Sequence, residues 1–333
     1  MIFTLPISSY LKILNLNLRT MIKARNPILY AAAEHLFSAG GKRIRPAIVF
    51  LVAQTTMNSK IILDNHKRLA EITEIIHTAS LVHDDVLDDC ATRRGVDSVH
   101  NTFNTKIAIL AGDFLFAQSS WYLANLENLE AVKMISKVII DFAEGEVQQN
   151  LTQFDLNISV FNYVEKSFYK TASLIAASCK AAAIISRVHK NVQNRIYTYG
   201  KHLGLAFQII DDILDIISSD QTLGKPAGSD LRNGNLTAPI LFALHEQPDI
   251  KLIIDRELHR RSDPTKVLNL IKNSSGIQQA IDIAQEHLQA AMYPLKFLHS
   301  SSSYISLIKL AEYIIKQISR QYILYLNTNS FRQ

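Results

Sequence analysis

Apolar residues recur along most of this chain at spacings of three and four, the period of one helical face. The spacing predicts a largely buried helix over Leu69–Leu87, with the polar residues Glu71, Glu74, His77 and Asp84 kept near one side. Ala131–Gln149 reads the same way. Leu203–Ile217 is apolar all round apart from Gln208 and an acidic cluster, which places it in the middle of a large helical bundle. Breaks are predicted at Gly40-Gly41, Arg94-Gly95, around Asn157, from Gly224 to Gly234, and near Asp263-Pro264. No Gly/Ser-rich or Pro-rich linker divides the sequence. The prediction is a single all-α domain spanning residues 1–333, with a core from about 25 to 325.

Two of these buried helices carry acids in the same arrangement. Asp84-Asp85-Val86-Leu87-Asp88 and Asp211-Asp212-Ile213-Leu214-Asp215 both read D-D-x-x-D. In a helix of about 3.6 residues per turn, the first and last carboxylates of each cluster lie on one face, one turn apart. Close like charges in an apolar helix are unfavourable on their own. A hard divalent cation relieves the repulsion, and Mg2+ takes oxygen ligands that it commonly shares with a substrate phosphate. Two such sites facing each other would clamp a diphosphate.

Basic groups accompany both clusters. Arg93-Arg94-Gly95 follows the first, and guanidinium groups suit bidentate contact with phosphate oxygens. They either bind phosphate or neutralise the neighbouring acids. In Gly40-Gly41-Lys42-Arg43-Ile44-Arg45-Pro46 the glycines permit a tight turn. Pro46 suits a helix start, so Lys42 and Arg45 fall at an N-terminus that favours anions. A solvated basic turn is the other reading of that segment. His77 lies two helical turns before Asp84 on the same face and is either a phosphate donor or a satisfied core residue. Lys170-Thr171 interrupts an apolar segment, Gln208 shares a helix face with Asp211, and Gly224-Lys225-Pro226 adds a further cation after the second cluster.

Composition narrows the classes. The chain has 333 residues, is 48% hydrophobic, and contains only 11 Gly and 8 Pro, so a large helical core is expected. A net charge of +5 suits anionic ligands or an anionic membrane surface and does not by itself indicate nucleic acid. Cys90 and Cys179 show no metal or redox spacing, and neither is assigned a role. The apolar stretches Ile107–Leu126 and Ala172–Ser186 are interrupted by Asp113 and Lys180, so no membrane span is predicted. Met1–Asn17 lacks a basic leader and cleavage site, and lacks transit-peptide composition.

Together these motifs resemble the trans-polyprenyl diphosphate synthases, from about Gly40 to the C-terminal helices. The first aspartate-rich motif of that family is similar to Leu81–Asp88 running on to Arg93-Arg94-Gly95, and the second to Phe207–Asp215. Having D-D-x-x-D twice favours chain elongation over cyclisation. Gly112–Gln118, Trp121–Leu126 and the segment from Gly224 to Pro239 resemble the solanesyl-type (nonaprenyl) synthases of plastids and cyanobacteria. One departure is Asn235, where many members have Lys; Arg232 or Lys225 could compensate.

The resemblance implies an all-α fold, a single large helical bundle of the isoprenoid synthase type with a central active-site cavity. It implies that Lys42, Arg45, His77 and Arg94 bind isopentenyl diphosphate, and that Arg93, Lys170, Thr171 and Gln208 contact an allylic prenyl diphosphate. Asp84 and Asp88 would hold Mg2+ on one side and Asp211 on the other, with Asp212 and Asp215 supporting. Asp84, Asp88, Asp211 and Lys170 are thus the expected catalytic residues. Ionisation of the allylic C–O bond and attack by the isopentenyl double bond follow, with released diphosphate as the base. In this family, side chains one turn before the first motif form a floor under the growing chain. Here they are Ala79 and Ser80, both small, so a long product is expected, nonaprenyl for a plastoquinone side chain. A geranylgeranyl-length synthase and a non-catalytic partner subunit are the alternatives. A homodimer is expected, with no nucleic acid and at most peripheral membrane contact through the amphipathic stretch Ser303–Leu326. The expected location is the plastid stroma, encoded in the plastid, with a bacterial cytoplasm as the alternative.

Overall fold

A computed structural model describes the backbone of residues 2–218, 228–298 and 301–329, and the side chains of 4–218, 228–298 and 301–316. Among them, helices α1 (Ser8–Met21), α2 (Pro27–Ser38), α3 (Ile44–Met57) and α4 (Asp64–Leu87) come first. A two-rung hairpin follows, β1 (Thr92–Arg93) with β2 (Val96–Asp97), then α5 (Val99–Thr102), α6 (Thr105–Ala124) and α7 (Leu129–Leu151). Next come α8 (Val160–Ser167), a π-turn (Phe168–Ala172), α9 (Ser173–Ile185) and α10 (Lys190–Ile217). The remainder is α11 (Ser229–Arg232), α12 (Ala238–Glu246), α13 (Pro248–Ile254), α14 (Asp263–Lys272), α15 (Gly276–Leu295) and α16 (Ser302–Asn329). The predicted breaks at residues 40–41, 94–95, 157 and 263–264 all fall between elements or at a helix start. Helix α10 begins well before the predicted Leu203, because its first turns are amphipathic and not uniformly apolar. The hairpin at Arg94-Gly95 was not anticipated: two rungs are too short to show a period of two. The helix starts obey local chemistry. Asn26 Oδ1 accepts from the N–H groups of Ile28 and Leu29 at 2.9 and 3.2 Å, and Pro27 supplies the N1 residue of α2.

The backbone divides into two compact units. The first comprises Met1–Ile139, Leu174–Gly200 and Pro294–Lys309; the second comprises Ile140–Ser173, Lys201–Tyr293 and Leu310–Gln333. In the first, α4 packs on α3 and α6, burying Ile72, Ile76 and Ala79 with Phe50, Ala108 and Leu115. Each fully buried Ile or Phe contributes roughly 1.5–3 kcal/mol relative to exposure. Two polar contacts lock α4 to α9: Thr73 Oγ1 to Ser178 Oγ at 3.0 Å, and His66 Nε2 to the Ala182 carbonyl at 3.0 Å. Helix α1 buries Leu14, Leu18 and Met21, so this apolar N-terminal stretch is part of the core.

In the second unit Leu205, Ile209 and Ile213 of α10 are buried, as are Ile240 of α12 and Ala280 and Ala284 of α15. Gly204 allows the closest approach here. A Cβ at that position would stand 2.6 Å from Ala172 Cα, so only glycine lets α10 lie against the π-turn. By length and composition alone, α6 and the continuous helix Val160–Ile185 qualify as membrane spans, which departs from the expectation of none. The second is 78% buried inside the protein, as a core helix is, whereas α6 leaves Ile109, Leu110 and Trp121 exposed.

The second unit also carries an acid-sensitive contact. His202 Nδ1 of α10 lies 2.9 Å from His287 Nδ1 of α15, so one ring donates to the other and at least one is neutral. Burial, then the neighbouring His287 and Lys201, bring His202 down to about 4. Burial and Lys201 lower His287 as well. Both folded values lie below the unfolded value of about 6.5, so below that pH the unfolded chain binds more protons. The contribution is present above about pH 6.5 and is lost as pH falls toward about 4. Melting temperature followed across this window should fall steadily for the wild type and less steeply for His202→Gln. Equal slopes would show that the pair does not control acid sensitivity.

Candidate active site

The first acidic cluster ends α4, and its members separate by burial. Asp85 is fully buried, while Asp84 and Asp88 are half-exposed. A half-buried stripe continues up the helix through Leu81, Ser80 and His77, at spacings of three and four. Ala79 lies off that stripe and is fully buried. Arg93, raised on β1, turns back to Asp85: its Nε donates to Oδ1 at 2.7 Å, and Nη2 contacts the same oxygen. Burial pushes the Asp85 carboxyl above its ordinary range, against the pull of Arg93. One arginine of the pair is thus in contact with an acid of the first cluster. Arg94, in the left-handed region at φ 55°, extends the other way, and its Nη1 donates to the Gly40 carbonyl.

That contact joins the arginine pair to the glycine turn. Gly41 adopts φ 157°, and a Cβ there would meet Arg94 Nη1 at 2.9 Å, so the turn is shaped to receive the guanidinium. Arg43, the N-cap of α3, is structural: Nη1 meets Glu74 Oε1 at 2.6 Å and Nε donates to Asn15 Oδ1 at 2.9 Å. Glu71 is satisfied by Asn17 and Arg68. Two of the polar residues along α4 thus have partners and are no part of a site. Lys42 is exposed just ahead of the helix. Arg45, in the first turn of α3, places Nη1 2.9 Å from His77 Nε2. Guanidinium nitrogens only donate, so Nε2 accepts and the imidazole proton sits on Nδ1. Burial and the surrounding arginines, Arg45 foremost, hold His77 neutral, well below its ordinary value. The structure thus links Arg45 to His77, and Arg94 to the turn that carries Lys42, in one basic group of the first unit.

The second cluster, in the second unit, separates in the same way. Asp211 is exposed, while Asp212 and Asp215 are buried. Tyr163 Oη donates to Asp212 Oδ2 at 2.6 Å, and Gln208 Nε2 donates to Oδ1 at 2.7 Å. Burial and the nearby Asp230 charge push Asp212 well up, against the pull of those two donors. Asp215 accepts from Ser229 Oγ at 2.9 Å and from the Asp230 N–H at 3.2 Å, which ties α11 to α10. Thr171 Oγ1 donates to Gln208 Oε1 at 2.6 Å, completing a chain from the π-turn to Asp212. Lys170 lies in that π-turn, a local widening common at functional sites. Its Nζ is 2.9 Å from Glu146 Oε1 and 3.1 Å from Gln149 Oε1, both on α7. A cavity of about 50 Å3 opens here, walled by Lys170, Lys166, Tyr163, Asp212, Asp230 and Asn235 among others. Lys225 lies outside the described residues, Arg232 is exposed, and Asn235 is buried. Sequence reasoning passed over Tyr163 and Lys166, since an aromatic and a cation on a short amphipathic helix carry no distinguishing spacing.

Among the described residues no group of three or more His, Cys, Asp or Glu is gathered closely enough to enclose a metal on its own.

Residues 26–274 match the model of the family described as polyprenyl synthetase. The chain is 58% identical over 314 residues to a prenyl transferase of Porphyra purpurea, covering 94% of this chain and 97% of that protein. It is 50% identical over 311 residues to solanesyl diphosphate synthase 1, chloroplastic, of Arabidopsis thaliana, covering 92% and 77% respectively. Among solved structures, the heptaprenyl diphosphate synthase of Staphylococcus aureus superposes with a TM-score of 0.89 at 34% identity, covering 92% of this chain and 97% of that one. A polyprenyl synthase of Caulobacter crescentus, complexed with calcium and isoprenyl diphosphate, gives 0.89 at 31% identity, covering 94% and 96%. Helical architecture, paired acidic motifs and these likenesses agree: the chain belongs to the polyprenyl synthetase family and is a prenyltransferase.

Proposed function

We propose that the enzyme condenses isopentenyl diphosphate with an allylic prenyl diphosphate to build a long all-trans polyprenyl diphosphate, nonaprenyl in length, for a plastoquinone side chain. The observation that carries the reading is the division within each acidic cluster. Asp84 and Asp88 in one, and Asp211 in the other, reach solvent while their neighbours are tied into the fold. These three carboxylates would hold Mg2+, whose bound form supplies Lewis-acid stabilisation of the departing diphosphate. The donor set fits: carboxylate oxygens, the ligands of a hard cation that commonly shares its shell with water and substrate phosphate. Lys42, Arg45, Arg94 and neutral His77, which keeps an Nδ1–H to donate, would bind isopentenyl diphosphate. Lys170, Thr171 and Gln208 would orient the allylic diphosphate, and Lys170 would balance charge as the C–O bond breaks. Arg93, which meets Asp85 in this structure, would contact the allylic diphosphate with them.

The solanesyl-named relatives and the small Ala79 and Ser80 support a long product. Both acidic clusters are needed for one reaction, so the reading keeps residues 1–333 as one functional domain. The exposed apolar residues of α6 support a homodimer. Relatives in Porphyra, Synechocystis and chloroplasts support a plastid stromal location, with bacterial cytoplasm as the other reading. The deciding experiment supplies purified protein with Mg2+, isopentenyl diphosphate and either farnesyl or geranylgeranyl diphosphate, and measures product length by mass spectrometry. A nonaprenyl product is expected. A product stopping at geranylgeranyl would overturn the length, and absence of any condensation would overturn the reaction.

A further inference from the structure

The cavity of the second unit contains a cation that none of the recognised motifs includes. Lys166, on α8, precedes Lys170 by four residues and is only 8% exposed. It shares the cavity wall with Lys170, Asp212, Asp230 and Asn235. Among the described residues, no hydrogen bond or ion pair holds its ammonium; its charged neighbours act on it only at a distance. Its side chain is largely withdrawn from water while the ammonium has no direct partner, an unfavourable arrangement for a cation. Asn235 lines the same cavity, and its Oδ1 is buried with no hydrogen-bond partner. Buried polar groups are nearly always satisfied, so an orphan amide oxygen on the wall of a cavity that also carries a cation without a direct partner marks a place where something polar binds. The amide of Asn235 can turn end for end and offer either its oxygen or its NH2. The cavity, at about 50 Å3, exceeds the space that one water occupies.

We propose that Lys166 is a further substrate-anchoring residue, its ammonium contacting phosphate oxygens of the allylic diphosphate in the cavity it shares with Lys170 and Asn235. The inference rests on the function proposed above. The competing role is structural: Lys166 would merely offset the neighbouring acidic side chains of Asp212 and Asp230. The two roles make opposite demands. An anchoring lysine without substrate is a buried, poorly compensated cation, so its removal leaves the ligand-free protein as stable or more stable. A charge-balancing lysine strands carboxylates when removed, and stability falls.

Wild type, Lys166→Met and Lys166→Arg are compared in three measurements: steady-state kinetics with geranylgeranyl diphosphate varied, kinetics with isopentenyl diphosphate varied, and the rise in melting temperature caused by inorganic pyrophosphate with Mg2+. Lys166→Met should raise KM for the allylic diphosphate about 10- to 100-fold, the scale of a lost charge-assisted hydrogen bond. KM for isopentenyl diphosphate should stay within about twofold, and the pyrophosphate-induced rise should shrink without a fall in the ligand-free melting temperature. Lys166→Arg, keeping the charge, should recover most of both losses. An unchanged allylic KM, an equal change in both KM values, or a lower ligand-free melting temperature with an undiminished pyrophosphate response would each overturn the proposal. A wild type that condenses nothing would refute the proposed function alone, because the pyrophosphate response still tests Lys166.

Discussion

Asp84→Ala and Asp211→Ala should each lower the rate of isopentenyl incorporation by on the order of 10^3-fold or more, with melting temperature almost unchanged. The rate effect follows from the proposed role. A metal ion at a departing diphosphate is worth several kcal/mol of transition-state stabilisation, and each carboxylate helps to hold one. The unchanged stability follows from burial. Asp84 is half-exposed and Asp211 exposed, so truncation uncovers no apolar cavity. Their neighbours should behave differently. Asp85→Ala would strand the Arg93 guanidinium, and Asp212→Ala would strand Tyr163 Oη and one donor of Gln208. Breaking the Asp85–Arg93 ion pair costs about 3–5 kcal/mol, and leaving the donors around Asp212 unsatisfied costs about 1–3 kcal/mol each, so those variants should lose activity through loss of structure. Initial rates against Mg2+ concentration, paired with thermal melts of all four variants, separate the two classes. Full activity in both Asp84→Ala and Asp211→Ala would rule out the metal-binding mechanism.

Ser80→Phe should convert the enzyme to one whose main product is several isoprene units shorter. Ser80 belongs to the accessible stripe of α4, one turn from Asp84, and is half-buried. On the proposed floor, a phenyl ring there would obstruct the growing chain. Ala79, the other small residue of the proposed floor, is 0% exposed and faces the packing of α4 against its neighbours. Ala79→Phe should also shorten the product, but at a stability cost of about 1–3 kcal/mol from overpacking. Product length by mass spectrometry and melting temperature by calorimetry distinguish them. If Ser80→Phe releases the same product as wild type, the floor of the channel lies elsewhere.

The helical reading came through because its signal is periodic. Leu69–Leu87 and Ala131–Gln149 each lie within a helix of the structure, α4 (Asp64–Leu87) and α7 (Leu129–Leu151), since each segment carries enough apolar repeats to define a face. The hairpin at residues 92–97 and the π-turn at 168–172 did not show, because neither is long enough to have a period. The acidic clusters and the basic groups stood out by residue type and spacing alone. Which arginine stays with an acid was invisible: Arg93 and Arg94 are adjacent, yet the left-handed backbone at Arg94 sends one to Asp85 and the other to Gly40.

What the sequence determined by itself is therefore the chemistry that is local: helices, paired carboxylates, cations beside them, and small residues one turn before the first cluster. What only the tertiary structure decided is the allocation of those groups. Burial sorts Asp84, Asp88 and Asp211 from Asp85, Asp212 and Asp215, although the two sets are chemically identical. It separates Ser80 from Ala79, and it raises Lys166, which has no motif, into the wall of a cavity beside Lys170. The reason is physical. Residue type sets what a group can do, but the cost of burying a charge or leaving a donor unsatisfied is set by neighbours distant in sequence, and only the packed chain supplies those.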